Sequence, residues 1–408
     1  MANQLSNTQT YGVPIYAAEW IPEETVRSKI DKDEEKPEDG GESSSSRSCI
    51  VLSGGGGEGN SGIPNVILIC RVDLETNSLS EQPIRDLRSL LQLGKLLLGT
   101  DLPYRMTVHP RGGGPICALP NSCKLFDWEN IMNPSEDNQA GEESDEVITE
   151  LRDVGQQLAL AFNQEGSVLA SGGEDGTLRI FEWPSMKTLL NESNAHASVK
   201  SLTFSESGKF LVSLGGPLCR VWDVDASAAI ASLPKEKDEM FAYCRFSVDN
   251  AGNEVLYIAA NTERGGSIIT CDPTSWKRKR STLIKNNPIS AFNVSADGKL
   301  LALGTLEGDV LIIDSTKMKT FQVAKKAHLG FVTALTFSPD SRCLVSVSLD
   351  SRAKLTVIEQ THGKGGPRWW LLVLLLILTY IVSYFFTKAK GIIPMKIPQV
   401  IPQHDAAE

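Results

Sequence analysis

A glycine-rich segment, SGGGGEGNSGIPN at residues 53–65, is the part of this sequence best suited to chemistry. Glycines adopt backbone angles that other residues avoid, and they leave carbonyl and amide groups uncovered. The loop could therefore surround a cation with carbonyl oxygens, or it could present a backbone surface to a partner. A long flexible hairpin is the simpler interpretation of its composition, because glycine-rich connections between strands are common.

The segment differs from a nucleotide-binding loop in two respects. No Gly-Lys-Ser or Gly-Lys-Thr closes it, so the lysine and the magnesium-binding hydroxyl of a P-loop are missing. The residues that follow, 66–72 (VILICRV), are apolar and β-branched, which predicts a strand rather than a helix. Because residues 49–52 also predict a strand, we expect the loop to connect two strands.

No catalytic motif accompanies this loop. The sequence contains no Gly-x-Ser-x-Gly elbow, no His-Glu-x-x-His and no kinase catalytic loop. His196 and His328 each precede the first strand of a predicted repeat, where we expect them to hydrogen-bond within the fold. The cysteines form no Cys-x-x-Cys pair, so we expect reduced, buried thiols and no zinc site. They are Cys49, Cys70, Cys117, Cys123, Cys219, Cys244, Cys271 and Cys343.

Composition and charge limit the class of protein. A length of 408 residues allows two or three average domains or one large repetitive domain, and 41% hydrophobic residues are enough for a sizeable core. The formal net charge of −10 argues against a general nucleic-acid binder, which needs a basic face to neutralise phosphate. We therefore expect no nucleic-acid partner.

A repeat of alternating apolar runs and Gly or Asp turns fills most of the chain. Its equivalent positions recur every 42 to 48 residues, which is the period of a four-stranded propeller blade. These positions are Phe162, Phe204, Phe246, Val294 and Phe337. The five clear copies cover residues 158–183, 199–224, 240–272, 289–315 and 332–359.

Two weaker copies precede these five. Residues 106–128 form one, and residues 15–23 continued by 49–73 form the other. Because a single repeat cannot bury both its faces, neighbouring repeats must stack and the ring must close, with the N-terminal strand as the closing element. The architecture resembles the WD40 propeller. We therefore predict an all-β fold in which residues 1–362 form a seven-bladed WD40-type β-propeller.

Charged segments interrupt this pattern. Residues 23–47 and 134–150 are acidic insertions in the early blades, and such runs are usually solvated, mobile loops. The basic cluster at residues 277–280 (KRKR) resembles a nuclear signal in letters only. We expect it to coat a blade edge or to face acidic lipid headgroups.

A long apolar segment lies near the C-terminus. Residues 369–386 contain no charged side chain, and as a helix they would span about 27 Å, close to the thickness of a thin bilayer. A buried core helix is the alternative, but core helices of this length normally keep a polar stripe. We predict a single C-terminal transmembrane helix at 369–386, after a linker at 363–368 and before a short tail at 387–408.

The orientation of this helix follows from what precedes it. The N-terminus has neither a charged region nor an apolar region of the kind found in signal peptides. Nothing would therefore start the export of the propeller, so we expect it in the cytosol and the tail at 387–408 in the lumen. The Asn-x-Ser sites at Asn191 and Asn293 should then carry no glycan.

The glycine-rich loop and the predicted architecture together resemble one family. Residues 54–65 read GGGGEGNSGIPN within the first blade, and residues 11–18 read YGVPIYAA. Both segments, together with a cytosolic propeller and one C-terminal span, are similar to the Sec-twelve-type guanine-nucleotide exchange factors of the endoplasmic reticulum. The similarity extends over nearly the whole chain, although only the first blade carries specific motifs.

The resemblance implies an activity, partners and site residues. The family acts on a Sar-type small GTPase at the endoplasmic reticulum membrane and thereby starts assembly of the COPII coat. Its glycine-rich loop, the K-loop, wraps a potassium ion, and an apolar residue that matches Ile63 presses into the GTPase beside Pro64 and Asn65. The loop would be shaped by Gly54, Gly55, Gly56, Gly57, Gly59, Asn60 and Gly62, with the cation held by their carbonyls and by Asn60 or Asn65.

Two other functions remain possible at this point. The chain could be a non-exchanging accessory that helps particular membrane cargo to leave the reticulum, but such a relative would be expected to lose the loop residues. A plain WD40 scaffold would explain the blades, yet neither the loop nor the anchor. We therefore expect an exchange factor, which regulates a GTPase without covalent catalysis.

Overall fold

The computed structural model describes residues 7–26, 28, 48–59, 61–73, 78–79, 94–133, 146–249, 251–358 and 369–389. The chain divides into two compact units, residues 1–358 and residues 359–408. The predicted linker at 363–368 lies outside the described residues. The tail predicted at 387–408 begins within a helix that ends at Ala389, and the rest of it lies outside the described residues.

The first unit consists of seven antiparallel sheets, each with at least four strands. In chain order the strands are β1 (Thr8–Thr10), β2 (Ile15–Trp20), β3 (Ser48–Gly54), β4 (Val66–Asp73), β5 (Ser78–Leu79), β6 (Lys95–Leu97), β7 (Arg105–Val108), β8 (Pro115–Ala118), β9 (Cys123–Leu125), β10 (Glu146–Val147), β11 (Gln157–Phe162), β12 (Val168–Gly173), β13 (Leu178–Glu182), β14 (Lys187–Glu192), β15 (Ser201–Phe204), β16 (Phe210–Gly215), β17 (Leu218–Asp223), β18 (Ala228–Pro234), β19 (Met240–Val248), β20 (Glu254–Thr262), β21 (Gly265–Asp272), β22 (Lys277–Lys285), β23 (Ile289–Val294), β24 (Leu300–Thr305), β25 (Val310–Asp314), β26 (Lys319–Ala324), β27 (Val332–Phe337), β28 (Cys343–Ser348) and β29 (Arg352–Val357). Three helices complete the described elements, α1 (Glu23–Thr25), α2 (Trp128–Met132) and α3 (Trp369–Ala389), with a 3₁₀ turn at Thr149–Leu151.

These sheets are the seven blades of a propeller, so the predicted blade number is confirmed. Blade 1 contains β2 to β6, blade 2 β7 to β10, blade 3 β11 to β14, blade 4 β15 to β18, blade 5 β19 to β22, blade 6 β23 to β26, and blade 7 β27 to β29 with β1. The first strand of each blade contacts the first strand of the next, and β27 of blade 7 returns to contact β2 of blade 1. The inner strands therefore form a closed ring.

The N-terminal strand closes that ring. Strand β1 pairs antiparallel with β29, so that Thr8 lies opposite Lys354 and Thr10 opposite Arg352. The Tyr11 N–H continues the pairing with a 2.8 Å hydrogen bond to the Ser351 carbonyl. Blade 7 is thus built from both ends of the first unit.

Apolar side chains fill every junction between neighbouring blades. Between blades 7 and 1, for example, Ile50 and Leu52 of β3 pack with Val345 and Val347 of β28, and all four are at most 1% exposed. Equivalent clusters lie at the other six junctions. All eight cysteines are buried and none forms a disulfide, as expected from the sequence. Burial of apolar surface between sheets is therefore distributed around the whole ring.

The two histidines predicted to be structural do hydrogen-bond within the propeller. The ring nitrogens of His196 lie 2.9 Å from the Gly215 carbonyl and 2.7 Å from Ser213 Oγ, and the indole N–H of Trp222 donates to the same hydroxyl at 2.8 Å. His328 is fully buried and lies 2.8 Å from Ser346 Oγ. Burial lowers the pKa of His196 to about 4, so the ring is neutral at physiological pH.

The boundaries predicted for the acidic insertions were wrong at two ends, the start of the first and the end of the second. Glu146 and Val147 form β10, which pairs with β9 as the outer strand of blade 2, and Leu151 is fully buried. Residues Glu23–Thr25 form α1, and Val26 beyond it is only 1% exposed. A short folded piece therefore lies at each of these two ends, followed by a buried apolar residue, Val26 or Leu151. The predicted insertions otherwise lie mostly outside the described residues.

The basic cluster at 277–280 lies on β22, the outer strand of blade 5. The prediction that it coats a blade edge is therefore confirmed. Arg278 forms ion pairs with Glu236 and Glu239 at 2.9 and 2.7 Å. Lys279 lies 3.4 Å from an Asp272 carboxylate oxygen. Two of its four residues therefore form ion pairs with acidic side chains of the propeller.

The second unit contains α3, which is 21 residues long. Its described side chains run from residue 374 to 387, and the large apolar ones among them are exposed within this unit. Among the helices that the structure describes, none is both long enough and apolar enough to cross a membrane.

Removal of residues 1–10 tests the closure of the ring. The deletion takes away β1 and leaves β29 with an unpaired edge, so we expect a loss of roughly 2–4 kcal/mol in unfolding free energy and a tendency to aggregate. Urea denaturation and size-exclusion chromatography measure both effects. Deletion of residues 1–6, which spares β1, is the control. Equal stability of the two truncated chains would contradict this role for β1.

Candidate functional site

The glycine-rich loop occupies the connection between β3 and β4 in blade 1. Gly54 lies opposite Val66 at the end of the β3–β4 ladder, and the chain between them forms the loop. The expectation that the loop connects two strands is thus confirmed, and no helix N-terminus is available at its end to bind a phosphate. The β-branched residues after Asn65 start β4 immediately.

Glycine is required at the start of the loop because other chain segments approach its backbone closely. A Cβ atom on Gly54 would lie 2.0 Å from the Pro14 carbonyl oxygen, and a Cβ on Gly55 would lie 2.2 Å from Asn65 Oδ1. On Gly56 it would lie 2.1 Å from Ser61 Oγ. These distances are far below van der Waals contact, so any side chain there would displace the backbone.

The glycines near the tip have a different basis. A Cβ atom on Gly59 or Gly62 would meet no heavy atom within 4 Å. Gly62 nevertheless adopts a φ of +73°, and Gly57 a φ of +90°, which L-residues with side chains rarely adopt. The start of the loop is therefore shaped by close packing and its tip by backbone conformation, so a simple flexible hairpin does not describe it.

The side chain of Asn65 holds the start of the loop in place. Its Oδ1 accepts a 3.0 Å hydrogen bond from the Gly57 N–H, and its Nδ2 donates to the carbonyls of Gly57 and Gly99 at 3.1 and 3.0 Å. The backbone carbonyl of Asn65 accepts from the Leu98 N–H at 2.9 Å. Asn65 is only 1% exposed. Its hydrogen bonds join the two ends of the loop to the chain that follows β6.

The three residues expected to contact the GTPase, Ile63, Pro64 and Asn65, differ in their exposure. Ile63 is 38% exposed and Pro64 is also exposed at the loop tip, where both side chains face solvent. Asn65 is buried, and its amide is fully engaged within the protein. Contact of the Asn65 side chain with a partner is therefore incompatible with the structure, whereas Ile63 and Pro64 remain available. Asn60 lies outside the described residues.

The N-terminal segment supports the loop directly. The Gly55 N–H donates a 2.9 Å hydrogen bond to the Pro14 carbonyl. Val13 and Ile15 on either side of Pro14 are buried in the cluster between blades 7 and 1. The two sequence segments that carried the family resemblance, residues 11–18 and 54–65, are thus in contact.

Apart from the carboxylate of Glu58, the oxygen donors in the described part of the loop are neutral. Among the described residues, no group of three or more His, Cys, Asp and Glu side chains could hold a metal ion. The loop instead offers backbone carbonyls, and the carbonyl that is engaged with Asn65 still has a second lone pair. Such a donor set suits a weakly charged cation such as potassium better than a transition metal.

Sequence reasoning missed two residues of this site. Leu98 and Gly99 follow β6 and form hydrogen bonds to Asn65, although they lie more than thirty positions away. Gly99 has a φ of +58°, so a turn at Gly99-Thr100 was a readable signal. Its partner was not readable, because a contact between positions 34 residues apart leaves no local pattern in the sequence.

Replacement of Asn65 by Ala should destabilise the loop. The change leaves the half-buried Gly57 N–H and the carbonyl of the exposed Gly99 without their side-chain partner, at a cost of roughly 1–3 kcal/mol in unfolding free energy. Chemical denaturation measures this loss, and Pro64→Ala at the neighbouring exposed position should change stability by less than about 0.5 kcal/mol. Similar stabilities of the two variants would show that Asn65 does not hold the loop.

This chain is similar to known proteins in its repeats and over nearly its whole length. The family described as WD domain, G-beta repeat matches residues 153–182, 187–223 and 316–355, which lie in blades 3, 4, 6 and 7. SEC12-like protein 2 of Arabidopsis thaliana is 77% identical over 96% of this chain and 98% of that protein.

More distant relatives are also found. SEC12-like protein 1 of Arabidopsis thaliana is 30% identical over 70% of this chain and 71% of that protein. The guanine nucleotide-exchange factor SEC12 of Mus musculus is 28% identical over 56% of this chain and 60% of that protein. High identity over nearly the full length, on a propeller with WD repeats, places the chain in one family: it belongs to the SEC12-like proteins.

Proposed function

We propose that this chain is a guanine-nucleotide exchange factor for a Sar-type small GTPase and that it starts COPII coat assembly for transport from the endoplasmic reticulum to the Golgi. The observation that carries the proposal is the loop of blade 1, in which an exposed Ile63 is presented from a start held by close-packed glycines and Asn65. The mouse relative is named as a guanine nucleotide-exchange factor, which supports the same activity here.

Exchange by such a loop needs no covalent chemistry. A factor that binds the nucleotide-free GTPase more tightly than the nucleotide-bound form lowers the barrier to GDP release by differential binding. An apolar contact from Ile63, with Pro64 beside it, would displace segments of the GTPase that hold phosphate and Mg²⁺. The side chain of Asn65 contributes indirectly, because it fixes the direction from which Ile63 is presented.

We also propose that the loop binds a potassium ion. The residues present fit such an ion, since the loop provides neutral carbonyl oxygens. At Gly54 to Gly56 the close packing excludes any side chain that would cover these oxygens. The carbonyls of Gly54, Gly55, Gly56, Gly57, Gly59 and Gly62, with Asn60, would hold it. Bound there, the cation would attract the carbonyl oxygens and so restrict the motion of the loop tip that carries Ile63.

We further propose that residues 369–386 anchor the chain in the endoplasmic reticulum membrane, with the propeller in the cytosol and the tail in the lumen. Eighteen consecutive residues without a charge support this part of the proposal. An anchor would matter for the activity, because a GTPase that exposes an amphipathic helix after GTP loading would be loaded beside the bilayer that the helix enters.

Replacement of Ile63 by Ala should reduce GDP release from a purified Sar-type GTPase by at least about tenfold, because the apolar contact is lost. Fluorescence of a labelled GDP gives the rate. Leu283→Ala removes a similarly exposed apolar side chain from the outer strand of blade 5 and should leave the rate unchanged. Equal rates for the Ile63 variant and the wild-type chain would contradict the role of Ile63.

The cation is tested by the same assay in two salts. We expect faster GDP release in potassium chloride than in sodium chloride at equal ionic strength, because the larger ion suits a ring of carbonyl oxygens. Equal acceleration in both salts would argue against a potassium-specific loop. Absence of acceleration in either salt, from a folded chain, would favour the alternative of a non-exchanging accessory for particular membrane cargo.

A further inference from the structure

The inner strands of the seven blades enclose a channel along the axis of the propeller. A cavity of about 130 Å³ lies inside it, and a second cavity of about 410 Å³ adjoins it toward one mouth. A water molecule needs roughly 10–15 Å³ of such space. The channel can therefore hold a polyatomic ligand and not only isolated water.

Basic side chains outnumber acidic ones in the inner cavity. Arg105 of β7, Arg245 of β19 and Lys200 just before β15 line it, and Glu19 of β2 is the single carboxylate among its described lining residues. Neither guanidinium forms an ion pair among the described residues of the propeller. Unpaired cationic groups in a confined space are costly unless an anion or water compensates them.

Backbone carbonyls hold both guanidinium groups at the channel wall. Arg105 donates from Nε to the Leu158 carbonyl at 3.0 Å and from Nη1 to the Tyr104 carbonyl at 3.1 Å. Arg245 donates from Nη1 to the Cys244 carbonyl at 2.8 Å. These bonds restrict the two side chains while using only part of the five N–H groups that each guanidinium carries.

The two arginines act on the same part of the channel, although they come from blades 2 and 5. Arg105, Tyr243 and Arg245 line the same cavity. Burial raises the pKa of Tyr243, and the charges of both arginines oppose that rise. Burial also raises the pKa of Glu19 to about 7, against the effect of Arg245. At neutral pH the carboxyl group is only partly ionised, so it offsets less than one of the two arginine charges.

We propose that the axial channel binds a phosphate-class oxyanion between Arg105 and Arg245. Planar guanidinium groups form paired hydrogen bonds to the oxygens of phosphate and sulfate, which a chloride ion cannot match. The anion is either free phosphate or the phosphate group of a small molecule whose remainder occupies the 410 Å³ cavity. Since the channel is formed by inner strands and the glycine-rich loop by the β3–β4 connection, this site does not depend on exchange activity.

Calorimetric titration of the full-length chain in detergent with inorganic phosphate tests the proposal. Ionic strength is kept constant with chloride. We expect saturable binding by the wild-type chain and at least about tenfold weaker binding by Arg245→Gln and Arg105→Gln, because each loses charge-assisted hydrogen bonds. Arg280→Gln on the outer strand β22 is the matched control and should bind as the wild type does.

A second pair of variants keeps the test decisive if a glutamine variant fails to fold. Arg245→Lys retains the charge but not the paired donors, so it should bind phosphate more weakly than the wild type. Glu19→Gln removes the competing carboxylate and should bind at least as tightly. Phosphate that binds no better than chloride, or equal affinity in Arg245→Lys, Arg280→Gln and the wild-type chain, would overturn the proposal.

Sulfate distinguishes the effect of Glu19, because its own charge does not change near neutral pH. The titratable and charged groups facing Glu19 in this cavity are Arg105, Lys200, Tyr243, Arg245 and Tyr16. Burial raises the pKa of the Glu19 carboxyl group to about 7. Sulfate affinity should therefore fall between pH 6 and pH 8 in the wild-type chain and stay constant in Glu19→Gln. Unchanged wild-type affinity would contradict the proposed position of the anion.

Parallel titrations with inorganic phosphate and glycerol 3-phosphate identify the source of the anion. Tighter binding of glycerol 3-phosphate would assign the larger cavity to the organic part of a phosphorylated ligand. Tighter binding of inorganic phosphate would assign the site to the free ion. Failure of both to bind would overturn the proposal, whatever the result of the exchange assay.

Discussion

Closure of the ring is the constraint on which the other features of this protein depend. No blade can bury both its faces alone, and blade 7 has its fourth strand only when β1 pairs with β29. Tyr11 continues that pairing, and three residues later the Pro14 carbonyl receives the N–H of Gly55. The strand that closes the propeller therefore leads directly into the segment that supports the glycine-rich loop.

The same closure produces two surfaces of different character. The loop of blade 1 presents backbone carbonyls, the carboxylate of Glu58 and the apolar Ile63 and Pro64 to solvent, which suits a protein partner and a monovalent cation. The channel collects side chains from all seven inner strands, and among the described residues that line its inner cavity, Arg105, Lys200 and Arg245 face one carboxyl group. One surface is made by a connection and the other by the strands, so each can change without the other.

Much of the fold was predictable from the sequence, because each blade repeats the same local pattern of apolar runs and Gly or Asp turns. The recurring residues at Phe162, Phe204 and Phe246 gave the period, and the glycine run identified the loop between two strands. Strand β10 was missed because two residues at the end of an acidic run carry no periodicity. The role of Asn65 was missed because it depends on Gly99, a contact between distant positions that composition and spacing do not encode.

Asn65 also has a consequence for the kinetics of partner encounter. Its hydrogen bonds to Gly57 and Gly99 order the start of the loop while the propeller folds, so that conformational entropy is already lost before any partner arrives. Only the few residues around the tip remain to be ordered in a complex. An encounter then needs little rearrangement of the loop, which favours rapid association and leaves the lifetime of the complex to the contacts made by the tip.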